Sequence, residues 1–280
     1  ILRLQYLSQH PMFDITLDRV VEPLLKFVTI GDAGNAADTT GYGDVSYTYR
    51  IGKYDVSEGD IALYNADSAN SARQITFDNR GTDKPATSVT WNNAARYVNW
   101  LNEREGEQAA YNFTTGGVND NILLWSSASA WQTGGENLYR HKDAKYFLPS
   151  EDEWYKAAYY NGSVYYDYPI GSDSAPVGTL GSTNTGEAVY NDGIVSPTEP
   201  ADVTQAGGLS PYGTMGQGGN AYNWIESGYD GNNDSAVESR VIRGGAWNNA
   251  SGSLQSSYRD DSVSVSGGVG IGFRVAAASV

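Results

Sequence analysis

Arg243-Gly244-Gly245-Ala246-Trp247, then Tyr258-Arg259, then Gly270-Ile271-Gly272-Phe273-Arg274-Val275 closes a chain of 280 residues that contains no cysteine. Short strands are expected over residues 241–247, 254–258 and 271–276, with the glycines supplying backbone turns that other residues resist. Arg243, Arg259 and Arg274 each lie near an aromatic residue, Trp247, Tyr258 and Phe273. That neighbourhood predicts buried or half-buried guanidiniums that stack on rings and bridge carboxylates.

Working outward, 40% hydrophobic and 12% aromatic residues over this length give enough material for one large domain with a real core. Thirty-three glycines and 18% charged residues point to a loop-rich α+β protein rather than a helical bundle. The formal charge of −15 would repel phosphate backbones and anionic lipid, and Lys and Arg form no dense run, so nucleic acid is not expected as a partner. The absence of cysteine removes disulfides, thiolate metal sites and cysteine nucleophiles together, without fixing the compartment. No apolar run approaches the roughly 20 residues of a membrane span. The chain opens at Ile1 without methionine, which fits an export signal removed or a sequence read in part.

Residues 1–27 read as an extension and 28–280 as the domain. Leu2, Leu4 and Tyr6 alternate with polar residues, as do Phe13, Ile15 and Leu17, which is the period of two of a strand. Residues 31–44 are small and glycine-rich and predict an exposed loop, with a strand over 45–51 and a capped helix starting after Ser57. Trp91, Ala94, Ala95, Val98 and Leu101 fall on one face of a helix over 91–104, with Thr90 as its cap. A second helix starts at Ser150, where Glu153 can complete a capping box. Residues 161–240 predict long irregular structure, a length that is ordinarily functional or held by ions.

Five blocks in order carry a resemblance. They are Tyr49-Arg50-Ile51-Gly52-Lys53-Tyr54-Asp55-Val56; Pro85 through Trp91-Asn92-Asn93-Ala94-Ala95 to Trp100-Leu101; Phe147-Leu148-Pro149-Ser150-Glu151-Asp152-Glu153-Trp154; Ser210-Pro211-Tyr212-Gly213 to Gly219-Asn220-Ala221-Tyr222-Asn223-Trp224; and the terminal block. Together they resemble the sulfatase-modifying-factor, or formylglycine-generating-enzyme-like, family. The resemblance implies an elaborated C-type-lectin-like single domain, with long loops, small twisted antiparallel sheets and a few helices. The segment from Gly31 to Gly43 looks most like exported bacterial members, which implies an extracellular or cell-surface protein.

Oxidase members of that family place a cysteine directly after the Gly-Phe-Arg run, where this chain has Val275. A branched hydrocarbon neither holds copper nor exchanges a disulfide. Iron-dependent members need a histidine cluster, whereas His10 and His141 are the only two histidines here, so neither copper nor iron is expected. Gly216-Gln217-Gly218-Gly219 lacks the lysine of a phosphate loop and reads as tight turns, which argues against a nucleotide. Calcium is the cofactor the resemblance implies, at Asn220 and Asn223 in the Gly219 to Trp224 segment, with Asn191 and Asp202 near a second site. Asn223 stands where the family usually has an acid. The adjacent acids Glu151-Asp152-Glu153 and Asp260-Asp261 are expected to be solvated or helix-capping rather than catalytic.

The loop between Trp247 and Gly270 is rich in Asn, Ser, Gly and Asp, a composition suited to adaptable recognition. Trp247, Tyr258, Arg259 and Asp260 are its candidate ligand-binding surface. Asn112, Asn161, Asn233 and Asn249 each begin an N-glycosylation acceptor pattern, so attached glycans are a candidate modification.

These readings favour a non-enzymatic exported structural protein: a fibre or sheath subunit that polymerises as strands of its N-terminal extension dock on a neighbour's open sheet edge. The alternative is a monomeric cell-surface module that binds a ligand or carbohydrate through the C-terminal lectin-like loop. Folding of the extension back on its own domain stands equally beside docking in trans.

Overall fold

The computed structural model describes residues 25–113, 121–131 and 137–279. The candidate docking residues Leu2, Leu4, Tyr6, Phe13, Ile15 and Leu17 lie outside the described residues, as does His10. In chain order the elements are β1 (Phe27–Ile30), β2 (Tyr49–Gly52), α1 (Glu58–Ala66), α2 (Trp91–Arg104), β3 (Ala130–Trp131), β4 (Asn137–His141), β5 (Tyr146–Phe147), α3 (Glu151–Tyr159), β6 (Val177–Gly178), β7 (Glu187–Ala188), β8 (Tyr222–Gly228), β9 (Ser239–Arg243), β10 (Asp260–Val263), β11 (Ile271–Gly272) and β12 (Ala276–Ala278). The architecture is α+β, with few helices, short strands and long connecting loops.

One four-stranded sheet has the order β1-β2-β12-β5, antiparallel throughout, and the other has the order β10-β9-β8-β11. The β8–β11 pair and the small β6–β7 ribbon are parallel, so the sheets are not all antiparallel as expected. The core lies beneath these sheets, around Trp91, Tyr97, Trp224, Phe273 and Val275. Val275 is fully buried there, and its carbonyl accepts from Gly52 N–H at 2.7 Å.

All three helices start where side-chain caps predict. Thr90 accepts from Asn93 N–H at 3.0 Å and opens α2. At α3, Ser150 accepts from Glu153 N–H at 3.2 Å while Glu153 accepts from Ser150 N–H at 2.6 Å, and Ser57 and Asp60 make the same exchange at α1. The apolar face of α2 is buried, but so are amides the periodicity did not count. Asn99 exchanges bonds of 2.7 and 2.9 Å with the Tyr111 backbone, and Asn102 exchanges bonds of 2.8 and 3.0 Å with the Tyr146 backbone. Each amide thus satisfies a loop as a paired strand would.

Three local expectations change. The strand expected over 45–51 begins only at Tyr49. The strand expected over 254–258 is a 3-10 turn, Ser251–Leu254, followed by loop, with β10 starting at Asp260. The cause is Arg243: its Nη1 donates to the Ser256 and Tyr258 carbonyls, which takes those acceptors from any ladder. Within 161–240, β8 was missed because six of its seven residues are buried, leaving no alternation to read.

The loop over 31–44 is strapped onto α3 rather than free. Gly43 N–H donates to Asp152 at 2.8 Å, Tyr155 donates to Asp38 at 2.5 Å, and the buried Lys156 donates to the Asp32 carbonyl at 2.9 Å. Burial lowers the pKa of Lys156, against a smaller opposing pull from Asp32.

Candidate functional site: an acidic, aromatic-walled cleft

Three consecutive acids open α3, and the first and third are not solvated as the sequence led us to expect. Glu153 is fully buried and Glu151 is 4% exposed. Burying a carboxylate is costly unless a cation and hydrogen bonds meet it. Arg140, on β4, meets Glu153 at 2.9 Å and Glu226, on β8, at 2.7 Å. Its guanidinium also stands 3.8 Å from the Phe147 ring centroid. Burial alone would weaken its charge, but Glu153, Glu226 and Tyr47 outweigh it and hold the Arg140 pKa well above the ordinary guanidinium value. Tyr111 donates to Glu226 at 2.7 Å, Asn137 donates to it at 2.5 Å, and Tyr47 donates to Glu153 at 2.8 Å.

Glu151 is met by two arginines of the terminal signature, Arg243 at 2.6 Å and Arg259 at 2.9 Å. Both stand over the Tyr42 ring, at 5.0 and 5.7 Å from its centroid, and Arg259 also covers Tyr229 at 4.3 Å. Arg274 is fully buried, pairs with Asp55 at 2.8 Å and donates to Asn223 at 2.9 Å. All three signature arginines bridge carboxylates as expected, while Arg243 and Arg259 stack on Tyr42, Tyr155 and Tyr229, which are distant in sequence, rather than on Trp247 and Tyr258.

Above this frame opens a cleft of about 470 Å³, walled by Tyr42, Tyr47 and Trp131, with Arg140, Ser150, Glu151 and Asp152 on one side and Ser227, Asn232, Asn233 and Asp234 on another. The elements that meet here are β3, β4, the first turn of α3, the end of β8 and the turn after it. Tyr47 and Trp131 pack edge to face at 5.3 Å. Asp152 differs from its neighbours in having no arginine or lysine partner among the described residues; its one bond is the Gly43 N–H. Burial, assisted by Asp44, Glu151 and Glu153 and opposed by the Gly43 N–H, raises its pKa to about 6.

The residues proposed from sequence fall in different places. Arg259, through Glu151 and the Gly228 and Tyr229 carbonyls, borders the cleft, and Tyr258, half-buried, donates to Asp260 at 3.1 Å on the edge strand β10. Trp247 is a correction to the proposed surface: it is 4% exposed, packed in the core with Arg80 over its ring at 4.7 Å, because the turn at Gly244-Gly245 directs the chain inward. His141 ends β4 against Trp125, ring centroids 4.7 Å apart. Asn233 lines the cleft and accepts from Gly228 N–H at 3.0 Å. Asn249 accepts from Ala246 N–H at 2.9 Å, Asn112 is half-buried, and Asn161 is exposed.

The donors proposed for calcium do not fit the ion. Asn223 Oδ1 already accepts from the Trp154 indole and from Arg274, both at 2.9 Å, so a cation there would face a guanidinium. Asn220 is bonded to the Ala201 backbone, Asn191 accepts from Gly193 N–H at 3.0 Å, and Asp202 lies 3.4 Å from Lys84. Among the described residues no group of three or more His, Asp or Glu could hold a metal, and no helix is long and apolar enough to cross a membrane.

The cleft was not proposed from sequence. Its acids were visible in the capping box, but Tyr42, Tyr47, Trp131 and Asn232 come from separate segments with no shared spacing.

Residues 28–279 match the sulfatase-modifying factor enzyme 1-like domain. Among solved structures, CarF is similar with a TM-score of 0.64 at 17% identity, covering 92% of this chain and 100% of its own. Treponema denticola variable protein 1 has a TM-score of 0.60 at 18% identity, covering 91% and 95%. PvdO from Pseudomonas aeruginosa has a TM-score of 0.53 at 16% identity, covering 91% and 92%. At these identities the likeness is one of fold. No curated protein sequence matches the chain.

Proposed function

Since this chain belongs to the sulfatase-modifying factor enzyme 1-like family and carries no cysteine, we propose that it is a non-enzymatic recognition module that holds a ligand in the cleft over α3. The observation that carries this reading is the cleft itself: three aromatic walls and a carboxylate set on a frame of buried arginine–carboxylate pairs. Such a frame keeps the lining in one arrangement, which lowers the entropy cost of binding. The absent thiols leave no route to the oxidase chemistry of other members.

The test is a panel of short peptides and oligosaccharides, titrated against the full chain and against Trp131→Ala. A ligand that loses about tenfold or more in affinity with Trp131→Ala supports the cleft. Binding unaffected by Trp131→Ala would move recognition elsewhere, and dioxygen-dependent oxidation of a cysteine peptide by the protein would overturn the non-enzymatic reading.

Self-assembly through the extension is a second reading, favoured by the position of β1. Among the described residues it forms an edge of its four-stranded sheet, and in the sequence it follows the extension directly. A chain lacking residues 1–20 that keeps the native particle size by light scattering and electron microscopy would remove this reading.

A further inference from the structure

Building on the cleft reading, we infer that the cleft takes an organic cation, a guanidinium or primary ammonium group, with its charge against Asp152 and its carbon frame among Tyr42, Tyr47 and Trp131. The carboxylates of the frame beneath the cleft are matched by arginine. Arg140 lies between Glu153 and Glu226, and Arg243 and Arg259 converge on Glu151. Three guanidiniums thus answer three carboxylates, while the cleft-lining Asp152 and Asp234 have no arginine or lysine partner among the described residues, and of these two it is Asp152 that stands beside the buried frame.

Asp152 lines a cavity whose wall also carries the rings of Tyr42, Tyr47 and Trp131. A cation against a carboxylate and beside aromatic faces gains twice, from a charge-assisted hydrogen bond and from the ring quadrupoles. A metal ion is a poorer occupant, since calcium needs six or more oxygens and among the described residues no three acids are placed to hold one. Asp234, also in the cleft lining, and the chain's formal charge of −15 add to the field that draws a cation in. The raised pKa of Asp152 agrees, because burial and the like charges of Asp44, Glu151 and Glu153 are the penalties that a bound cation relieves.

The test uses agmatine, end-blocked Gly-Arg-Gly, Gly-Lys-Gly and Gly-Gln-Gly peptides, and maltotriose, titrated calorimetrically against the full chain, Asp152→Asn and Trp131→Ala. Asparagine keeps an acceptor for Gly43 N–H, so the far-UV spectrum should match the native protein and the melting temperature at pH 7 should not fall. The cationic probes are expected to bind about tenfold or more tighter than the glutamine peptide, to lose about tenfold or more in Asp152→Asn, and to weaken about tenfold from pH 7 to pH 5. A peptide tighter than agmatine assigns the cation to a polypeptide side chain, and the reverse assigns it to a free amine.

Equal affinity for the glutamine and arginine peptides, or cation binding unchanged by Asp152→Asn, overturns the inference. Maltotriose bound in a manner sensitive to Trp131→Ala but not to Asp152→Asn overturns it while leaving the cleft reading standing. No probe sensitive to Trp131→Ala overturns both.

Discussion

Replacing Arg140 by methionine removes one cation from between two carboxylates that are themselves fully buried. Methionine fills much of the same volume and can still lie on Phe147, which the guanidinium covers at 3.8 Å, so the change isolates the charge. Breaking a single buried pair costs about 3–5 kcal/mol. Here Glu153 and Glu226 lose the same partner, so the cost belongs at the upper end, about 5 kcal/mol. A domain of this size loses about 2 °C of melting temperature per kcal/mol, which gives a fall of about 10 °C. Scanning calorimetry with urea titration measures both quantities. The triple variant Arg140→Met, Glu153→Gln, Glu226→Gln should recover at least half of the loss. Glutamine still completes the Ser150 capping box and still accepts from Tyr111, while the stranded charges are gone. Arg140→Met within about 1 kcal/mol of the native protein, or a triple variant that recovers nothing, would refute the assignment of this network as the frame of the cleft.

Other outcomes follow from single contacts. The folded pKa of Asp152, about 6, lies above its ordinary value of 3.8, so its stabilising contribution is complete below about 3.8 and is lost as pH rises through about 6; Asp152→Asn should flatten that part of the pH–stability profile, and an unchanged profile would refute the shift. Gly244 has φ +98, and a Cβ there would meet the Gln217 carbonyl at 2.6 Å and the Trp154 ring at 3.1 Å, so Gly244→Ala should cost about 2 kcal/mol or more by urea unfolding. Asn223→Asp exchanges a 2.9 Å hydrogen bond to Asp55 for two facing carboxylates and should destabilise by about 2 kcal/mol, and saturating calcium should leave the native melting temperature within about 1 °C. A calcium-induced rise abolished by Asn220→Ala would restore a metal site there.

Much of this was local and therefore legible. Ser150 and Glu153 form their box within one helical turn, and α2 runs over the residues its apolar period marks. The five ordered blocks carried the family, because each preserves a local shape. What escaped depended on partners distant in sequence. Glu153 caps α3 as read, but it is fully buried rather than solvated, since Arg140 is brought to it by β4 and shared with Glu226 of β8. The strand expected over 254–258 is overridden by Arg243, which takes the Ser256 and Tyr258 carbonyls. Trp247 read as a binding surface and lies in the core.

By itself the sequence determined the helix starts, the α+β class, the loop-rich character and the loss of thiol chemistry, all of which are set by residue type or by spacings of a few residues. Only the tertiary structure decided which acids are answered by arginine and which, like Asp152, are not. Charge pairing inside a protein depends on through-space distance and desolvation, and residues 42, 47, 131, 152 and 234 become neighbours only when β3, β4, α3 and β8 are packed together.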